Sequence, residues 1–166
     1  MNILILSDSF KGSATSLEIG KYLSDGIAEI NHSFKVKCLP VADGGEGTKK
    51  AILSVKKGEE VKVTVHDPLM RPVSATFGWI ENKKTAIIEM SDASGLTLLE
   101  KKERNPLFTT TYGTGELINF ALNKGAEKIY IGLGGSATND AGVGMAVALG
   151  LKFKTRNNQK HKVENI

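Results

Sequence analysis

Apolar residues come in two kinds of run along this chain. Asn2-Ile3-Leu4-Ile5-Leu6 is short and continuous, which suits a strand buried in a parallel sheet. Ser7 to Ser13 is polar and reads as a loop. Thr15-Ser16-Leu17-Glu18 has the form of a capping box, in which a threonine oxygen and a glutamate carboxylate satisfy orphan amides at a helix start. Ile19, Leu23, Ile27 and Ile30 share one face of the predicted helix, and Asn31 closes it. A second strand is expected over Lys35 to Val41, then a short helix over Thr48 to Val55 that ends near Gly58.

The middle of the chain has a different period. Glu60 to His66 alternates valines with polar residues, as a half-exposed strand does. Asp67 to Pro72 reads as a turn with Met70 and Arg71 at a solvated tip. Val73 to Ile80 and Thr85 to Met90 read as strands joined by a hairpin turn at Glu81-Asn82-Lys83, with Phe77 and Trp79 packed in the core. Asp92-Ala93-Ser94-Gly95 follows as a strand-exit loop. After Pro106 the helical period returns in Leu117, Ile118, Ala121 and Leu122, and Gly125 stands where a C′ glycine belongs. Lys128 to Ile131 is a strand, Val143 to Leu149 a helix, and Lys152-Phe153 the start of another strand; Lys154 to Ile166 is polar and without period.

These elements predict an α/β fold: a mainly parallel open sheet of the Rossmann or flavodoxin kind, with an antiparallel hairpin region. Residues 1–60 form the first part of the α/β core, 61–105 the antiparallel strands or flap, and 106–166 a second α/β segment. Several glycine- or serine-rich loops fall where a strand gives way to a helix. In open α/β sheets ligands gather at that carboxyl edge, so the loops are expected to converge on one site.

Composition narrows the partners. The 166 residues are 40% hydrophobic and 24% charged with a net charge of +4, an ordinary globular balance that tilts towards acidic small molecules. Basic residues are scattered and not interleaved with aromatics, which argues against nucleic acid. No apolar run reaches the ~20 residues of a membrane helix, and none has the form of a signal peptide. Cys38 is the sole cysteine and lies in an apolar run, so it reads as an inert thiol; a cytoplasmic location is the simplest expectation. His32, His66 and His161 have no metal-ligand spacing.

The chemistry lies in the loops. Gly132-Leu133-Gly134-Gly135-Ser136-Ala137-Thr138-Asn139-Asp140 links a strand to a helix. Its glycines allow close approach of backbone amides to an anion, and the helix adds the positive end of its dipole. Gly134, Gly135, Ser136 and Thr138 are candidates for a phosphate cradle, and Asp140 with Asn139 for holding magnesium. In Asp8-Ser9-Phe10-Lys11-Gly12-Ser13 the carboxylate suits a metal or proton and the lysine an anion, with Ser9 and Ser13 as hydroxyl donors. Asp43-Gly44-Gly45-Glu46-Gly47 packs two carboxylates among three glycines, so Asp43 and Glu46 are candidates for a base or a ligand, with Gly44 and Gly45 beside them. Thr114, in Gly113-Thr114-Gly115-Glu116, either caps a helix or binds a ligand. Gly132 to Ala137 also fits a dinucleotide fingerprint, but the acidic residue expected about 20 positions on is missing, which counts against an NAD-linked oxidoreductase. Walker A and protein-kinase motifs are absent.

Together, Asp8 to Ser13, Ala42 to Thr48, Thr111 to Ile118 and Gly134 to Asp140 resemble, in order and in register, the signature segments of the bacterial type I glycerate kinases. The likeness runs from residue 2 to about residue 154 and includes Asp67-Pro68-Leu69 and Ile88-Glu89-Met90; Ala141 stands where the family often has a second glycine. Members of that family are well over twice this long and have two α/β lobes with the site between them. The resemblance therefore implies the N-terminal portion of a two-lobed kinase, truncated at its C-terminus, with some of the site residues missing. It implies ATP-dependent phosphorylation of a D-glycerate hydroxyl, with ATP and Mg2+ as cofactors and homo-oligomerisation left open. Lys11 would neutralise an anion, Asp43 would act as base with Asp8 as its rival, and the Gly134 loop would hold phosphate. The alternative is a non-catalytic nucleotide- or phosphate-binding α/β fragment.

Overall fold

A computed structural model describes residues 1–10 and 13–153. Lys11 and Gly12, and everything from Lys154 onward, lie outside the described residues. Strand β1 (Asn2–Ser7) pairs in parallel with β2 (Lys35–Pro40), from Asn2 opposite Lys35 to Ser7 opposite Pro40. Helix α1 (Ser16–Ile30) makes the crossover between them. The capping box at its start forms as expected: the Glu18 amide donates to Thr15 Oγ1 at 3.2 Å, and the Thr15 amide donates to the Glu18 carboxylate at 2.8 Å. Asn31 is the C-cap. Only part of the predicted apolar face is covered, because Ile19 is buried while Leu23 and Ile30 are 48% and 82% exposed. The face that meets β2 is centred on Gly20 and Ser24, which close on Cys38: its thiol lies 2.9 Å from Ser24 Oγ and 3.1 Å from the Gly20 carbonyl.

A second sheet has the order β3-β4-β5-β6. Strands β3 (Glu59–His66), β4 (Pro72–Ile80) and β5 (Thr85–Glu89) run antiparallel in sequence. Strand β6 (Lys128–Gly132) then adds in parallel to β5, from Thr85 opposite Lys128 to Glu89 opposite Gly132. The expected hairpin is thus continuous with a parallel pair through β5, giving a mixed α/β arrangement of parallel and antiparallel strands. The turn at Glu81–Lys83 is one turn of 3-10 helix, with Lys84 at φ 42° behind it.

Helix α4 (Tyr112–Asn123) lies on this sheet and supplies the core with Leu117, Ile118 and Ala121. From the strands come Val65, Ala75, Phe77, Trp79, Ala86 and Ile88. Phe77 and Trp79 are 1% and 2% exposed, as the sequence predicts, and cutting either to alanine would cost roughly 3–5 kcal/mol. Gly125 takes the left-handed C′ position, φ 95°, that only glycine occupies without strain.

Three short elements complete the frame: α2 (Thr48–Val55), α3 (Ser91–Ser94) and α5 (Val143–Ala148). Asp92, expected in an open loop, sits in α3 directly after β5. Leu151 to Phe153 form no strand, so the strand expected to begin at Lys152 does not begin within the described residues.

Candidate functional site

Glycine brings two strand exits into contact. Strand β2 ends in the loop Val41 to Gly47 and β6 in the loop Leu133 to Gly142. The Gly134 amide donates to the Gly44 carbonyl at 3.0 Å. A Cβ on Gly134 would stand 2.5 Å from the Gly45 Cα, and one on Gly132 would press into the Gly44 carbonyl oxygen. Any side chain there would force the loops apart. Gly44 itself has φ 93°, a conformation that L side chains rarely adopt. Strand β1 lies beside β2, and the Val41 amide donates to the Ser7 carbonyl at 3.0 Å, so the Asp8–Ser9 loop leaves next to the Asp43 loop.

Within this rim Asp43 is exposed and lightly held, its Oδ1 accepting from the Gly45 amide at 3.0 Å. Asp8 is also exposed, with Oδ1 accepting from the Ser9 amide at 2.7 Å. Glu46 is exposed. Thr48 ties the loop to the start of α2: its hydroxyl accepts from the Gly44 amide at 3.1 Å and donates to the Gly45 carbonyl at 2.8 Å. Ser13 is exposed beyond the first loop, where the Ser13 amide donates to the Phe10 carbonyl at 2.8 Å.

The loop after β6 folds back on itself. Ser136 Oγ and Thr138 Oγ1 lie 2.7 Å apart and line an open cavity of about 360 Å³ with Asn139, Met90, Leu133 and Met145. The cavity is mainly apolar, with hydroxyls on one wall. Three of the amides around it are engaged inside the protein: Gly134 with Gly44, Ala137 with the Ser94 carbonyl at 2.8 Å, and Thr138 with Ser136 Oγ at 3.1 Å. Gly132 and Gly134 serve the close backbone crossing, while Gly135 takes φ 76° at the turn beside Ser136.

Asp140 does not fit the expected metal role. Its carboxylate accepts from the Thr111 amide and hydroxyl, both at 2.8 Å to Oδ2, and from the Gly142 and Gly144 amides at 3.0 Å. The Thr110 hydroxyl adds a weaker bond at 3.3 Å. Burial pushes this carboxyl up, but the Thr111, Gly144 and Gly142 donors together outweigh burial and hold it below its ordinary value. Both oxygens of this carboxylate are already engaged by protein donors. Nor, among the described residues, does any group of three or more His, Cys, Asp or Glu side chains form a metal cluster. Asp140 instead ties α5 to the start of α4 and takes up the amides at the α5 N-terminus that were expected to face an anion. Gly144 is glycine for the same reason, because a Cβ there would run into Thr110 Oγ1.

Thr114 is among the residues at the base of the cavity. It is fully buried and bonded to Ser94 Oγ at 2.7 Å, which makes it a packing group between α3 and α4. Arg71, expected at a solvated tip, is held by the Asp67 carboxylate at 2.6 Å and the Glu103 carboxylate at 2.8 Å.

Two residues beside this rim escape a reading by local pattern. Lys49 is 3% exposed, and its ammonium binds the Asp92 carboxylate and the Thr76 hydroxyl. Glu89, 4% exposed at the end of β5, accepts from the Lys49 amide at 2.6 Å. Burial drives the Glu89 carboxyl above its ordinary value, against the opposing pull of Lys49. The sequence signals were the place of Glu89 near a strand end, within the family-like segment Ile88-Glu89-Met90, and of Lys49 one residue into a helix.

Comparison with known proteins agrees with the loop motifs. The chain is 49% identical over 150 residues to a glycerate kinase of Bacillus subtilis and 47% identical over 153 residues to the glycerate 2-kinase of Escherichia coli. These alignments cover 90% and 92% of the chain but 39% and 40% of the relatives, so the chain spans about two-fifths of their length. A crystal structure assigned as glycerate kinase 2 from Salmonella typhimurium LT2 superposes with a TM-score of 0.84 at 44% identity, covering 96% of this chain and 43% of that one. The sequence profile of the glycerate kinase family matches residues 3–165, and the chain belongs to that family.

Proposed function

We propose that this chain supplies part of the site of a kinase that transfers the γ-phosphoryl group of ATP to a hydroxyl of D-glycerate. The observation that carries this reading is the Gly134–Gly44 hydrogen bond, because it brings the Asp43 carboxylate loop and the Ser136–Thr138 hydroxyl loop to one rim. Phosphoryl transfer asks a protein mainly for positioning, charge stabilisation and a proton acceptor. Asp43 is exposed and oriented by a single amide, which suits it to accept the proton of the attacking hydroxyl; Asp8 is the rival on the neighbouring strand. Ser136 and Thr138 are the donors for a phosphate, with Gly134 and Gly135 giving it room. Ser9, Ser13, Gly45 and Glu46 are the further candidates for contact with the glycerate. Lys11 remains the proposed anion-neutralising group. The name of the E. coli relative points to the 2-hydroxyl as acceptor.

Magnesium would reach such a site with the nucleotide. Asn139 is exposed beside it, while Asp140 stays in its structural role. No helix among the described residues is long and apolar enough to cross a membrane. Calorimetry of the chain with Mg–ATP and D-glycerate tests the reading. Binding that falls at least about tenfold in Ser136→Ala/Thr138→Val supports it, since each lost bond to a charged phosphate is worth roughly 1.5–3 kcal/mol. Binding with no ADP release favours a module that grips phosphate without catalysis. Absence of both binding and turnover contradicts the proposal for this chain.

A further inference from the structure

Helix α2 begins without a cap of its own. Its N-cap is Gly47, at φ 94°, which has no side chain to accept from the first-turn amides. An amide of that turn would be orphaned beside the buried end of β5. Glu89 reaches across from β5 and takes it: the Lys49 amide donates to Glu89 Oε1 at 2.6 Å. Lys49 is the second residue of the helix, the position whose amide an N-cap side chain ordinarily serves. The cap is therefore supplied from 40 residues away in the chain.

The same bond lies one link from the site. Glu89 fixes the Lys49 backbone, and the preceding residue, Thr48, holds Gly44 and Gly45 through its hydroxyl. Gly44 meets Gly134, and Gly45 orients Asp43. On the other side, Glu89 sits opposite Gly132 in the β5–β6 register, and the Met90 amide donates to the Gly132 carbonyl at 2.9 Å. Glu89 thus touches the bases of both loops. The Lys49 ammonium is drawn away to Asp92 and Thr76, with Glu60 at 3.9 Å, so the lysine side chain is held by other partners while its backbone serves Glu89.

We propose that Glu89 is a positioning residue that caps α2 from β5 and thereby sets the Asp43 loop against the loop after β6. The functional meaning of that role rests on the reading of the Asp43 loop given above. It never touches substrate; it acts through Thr48 and Gly45 on Asp43.

Backbone amide hydrogen exchange on the ligand-free chain, followed by NMR, tests it. Glu89→Ala should speed exchange of the Lys49 and Gly44 amides by about tenfold or more beyond any change at Ile87 and Ile88 in β5. Glu89→Gln keeps an acceptor oxygen and should recover most of that protection, leaving about a threefold local effect. Unchanged exchange at Lys49 and Gly44 overturns the proposal. So does an equal acceleration in β5, which would mark Glu89 as ordinary core support, or a glutamine variant no better than alanine. Should the alanine variant not fold, the glutamine variant decides alone: its local effect must exceed that in β5. Affinity for D-glycerate should follow the same order, wild type above glutamine above alanine, and equal affinities overturn the positioning role even where the exchange pattern holds. Because exchange is read without ligand, its failure is separable from a failure of the chain to bind ATP or glycerate.

Discussion

Asp140 and Glu89 are two carboxylates at the carboxyl edge of the same fold, each fastening a glycine-rich loop, and their environments push them in opposite directions. Asp140 accepts from two backbone amides of its own loop and from the amide and hydroxyl of Thr111. Glu89 is more deeply buried and accepts one short bond from the Lys49 amide. Burial disfavours charge on both. At Asp140 the donors win and the carboxyl lies below its ordinary value; at Glu89 burial wins and it lies above. At Glu89 the like charge of Asp92 adds to burial, and the pull of Lys49 and Gly47 does not offset them. A carboxylate with several donors holds the loop after β6, and one with fewer holds the loop that carries the proposed base.

The strongest way to break this contrast is to remove the fuller anchor. Asp140→Ala leaves the Thr111, Gly142 and Gly144 donors without their acceptor and should cost roughly 3–4 kcal/mol by chemical denaturation. A loss below about 1 kcal/mol would mean that water replaces the carboxylate cheaply. Next comes the contact between the loops. Gly134→Ala puts a methyl 2.5 Å from the Gly45 Cα and should destabilise by about 1–3 kcal/mol, while weakening D-glycerate and ATP binding together. Weakening of only one ligand would show that the loops serve separate sites.

Acidity sharpens the comparison further. Asp140 has a lowered folded value, so its contribution is complete above the ordinary 3.8 and is lost as pH falls through the lowered value. Glu89 has a raised folded value, so its contribution favours folding fully below the ordinary 4.5 and is lost as pH rises through the raised value. Denaturation midpoints measured from acid to neutral pH should therefore diverge with opposite sign. Asp140→Asn loses its deficit relative to wild type on the acid side, and Glu89→Gln gains on wild type as pH rises. Parallel profiles would remove the distinction. The smallest effect belongs to a purely local cap: Thr15→Ala at the start of α1 should cost about 1 kcal/mol and leave both loops unmoved in an amide chemical-shift map.

That local cap was legible in the sequence because all its parts lie within four residues. So were Phe77 and Trp79 in the core, the bounds of α2, and Gly125 behind α4. The convergence of strand-exit loops could also be expected, since it follows from βα order. The two anchors were not legible. Asp140 finds Thr111 across 29 residues and Glu89 finds Lys49 across 40, and no local period records such a pairing. The glycines misled for a related reason. Lack of a Cβ serves an anion cradle and a close backbone crossing equally well, and Gly132, Gly134 and Gly144 use it for the crossing. The burial of Lys49 likewise depends on partners far along the chain, Thr76 on β4 and Asp92 on α3.

The central claim is that the exits of β1, β2 and β6 act on one bound guest. An amide chemical-shift titration of the chain with D-glycerate and Mg–ATP addresses it most directly. The account predicts that the largest shifts fall together on Ser9, on Gly44 to Glu46 and on Gly135 to Asn139, with β3 and the β3–β4 turn silent. Shifts at one loop without the other, or centred on a second cavity lined by Pro40, Ala42, Ile52 and Val55, would contradict it.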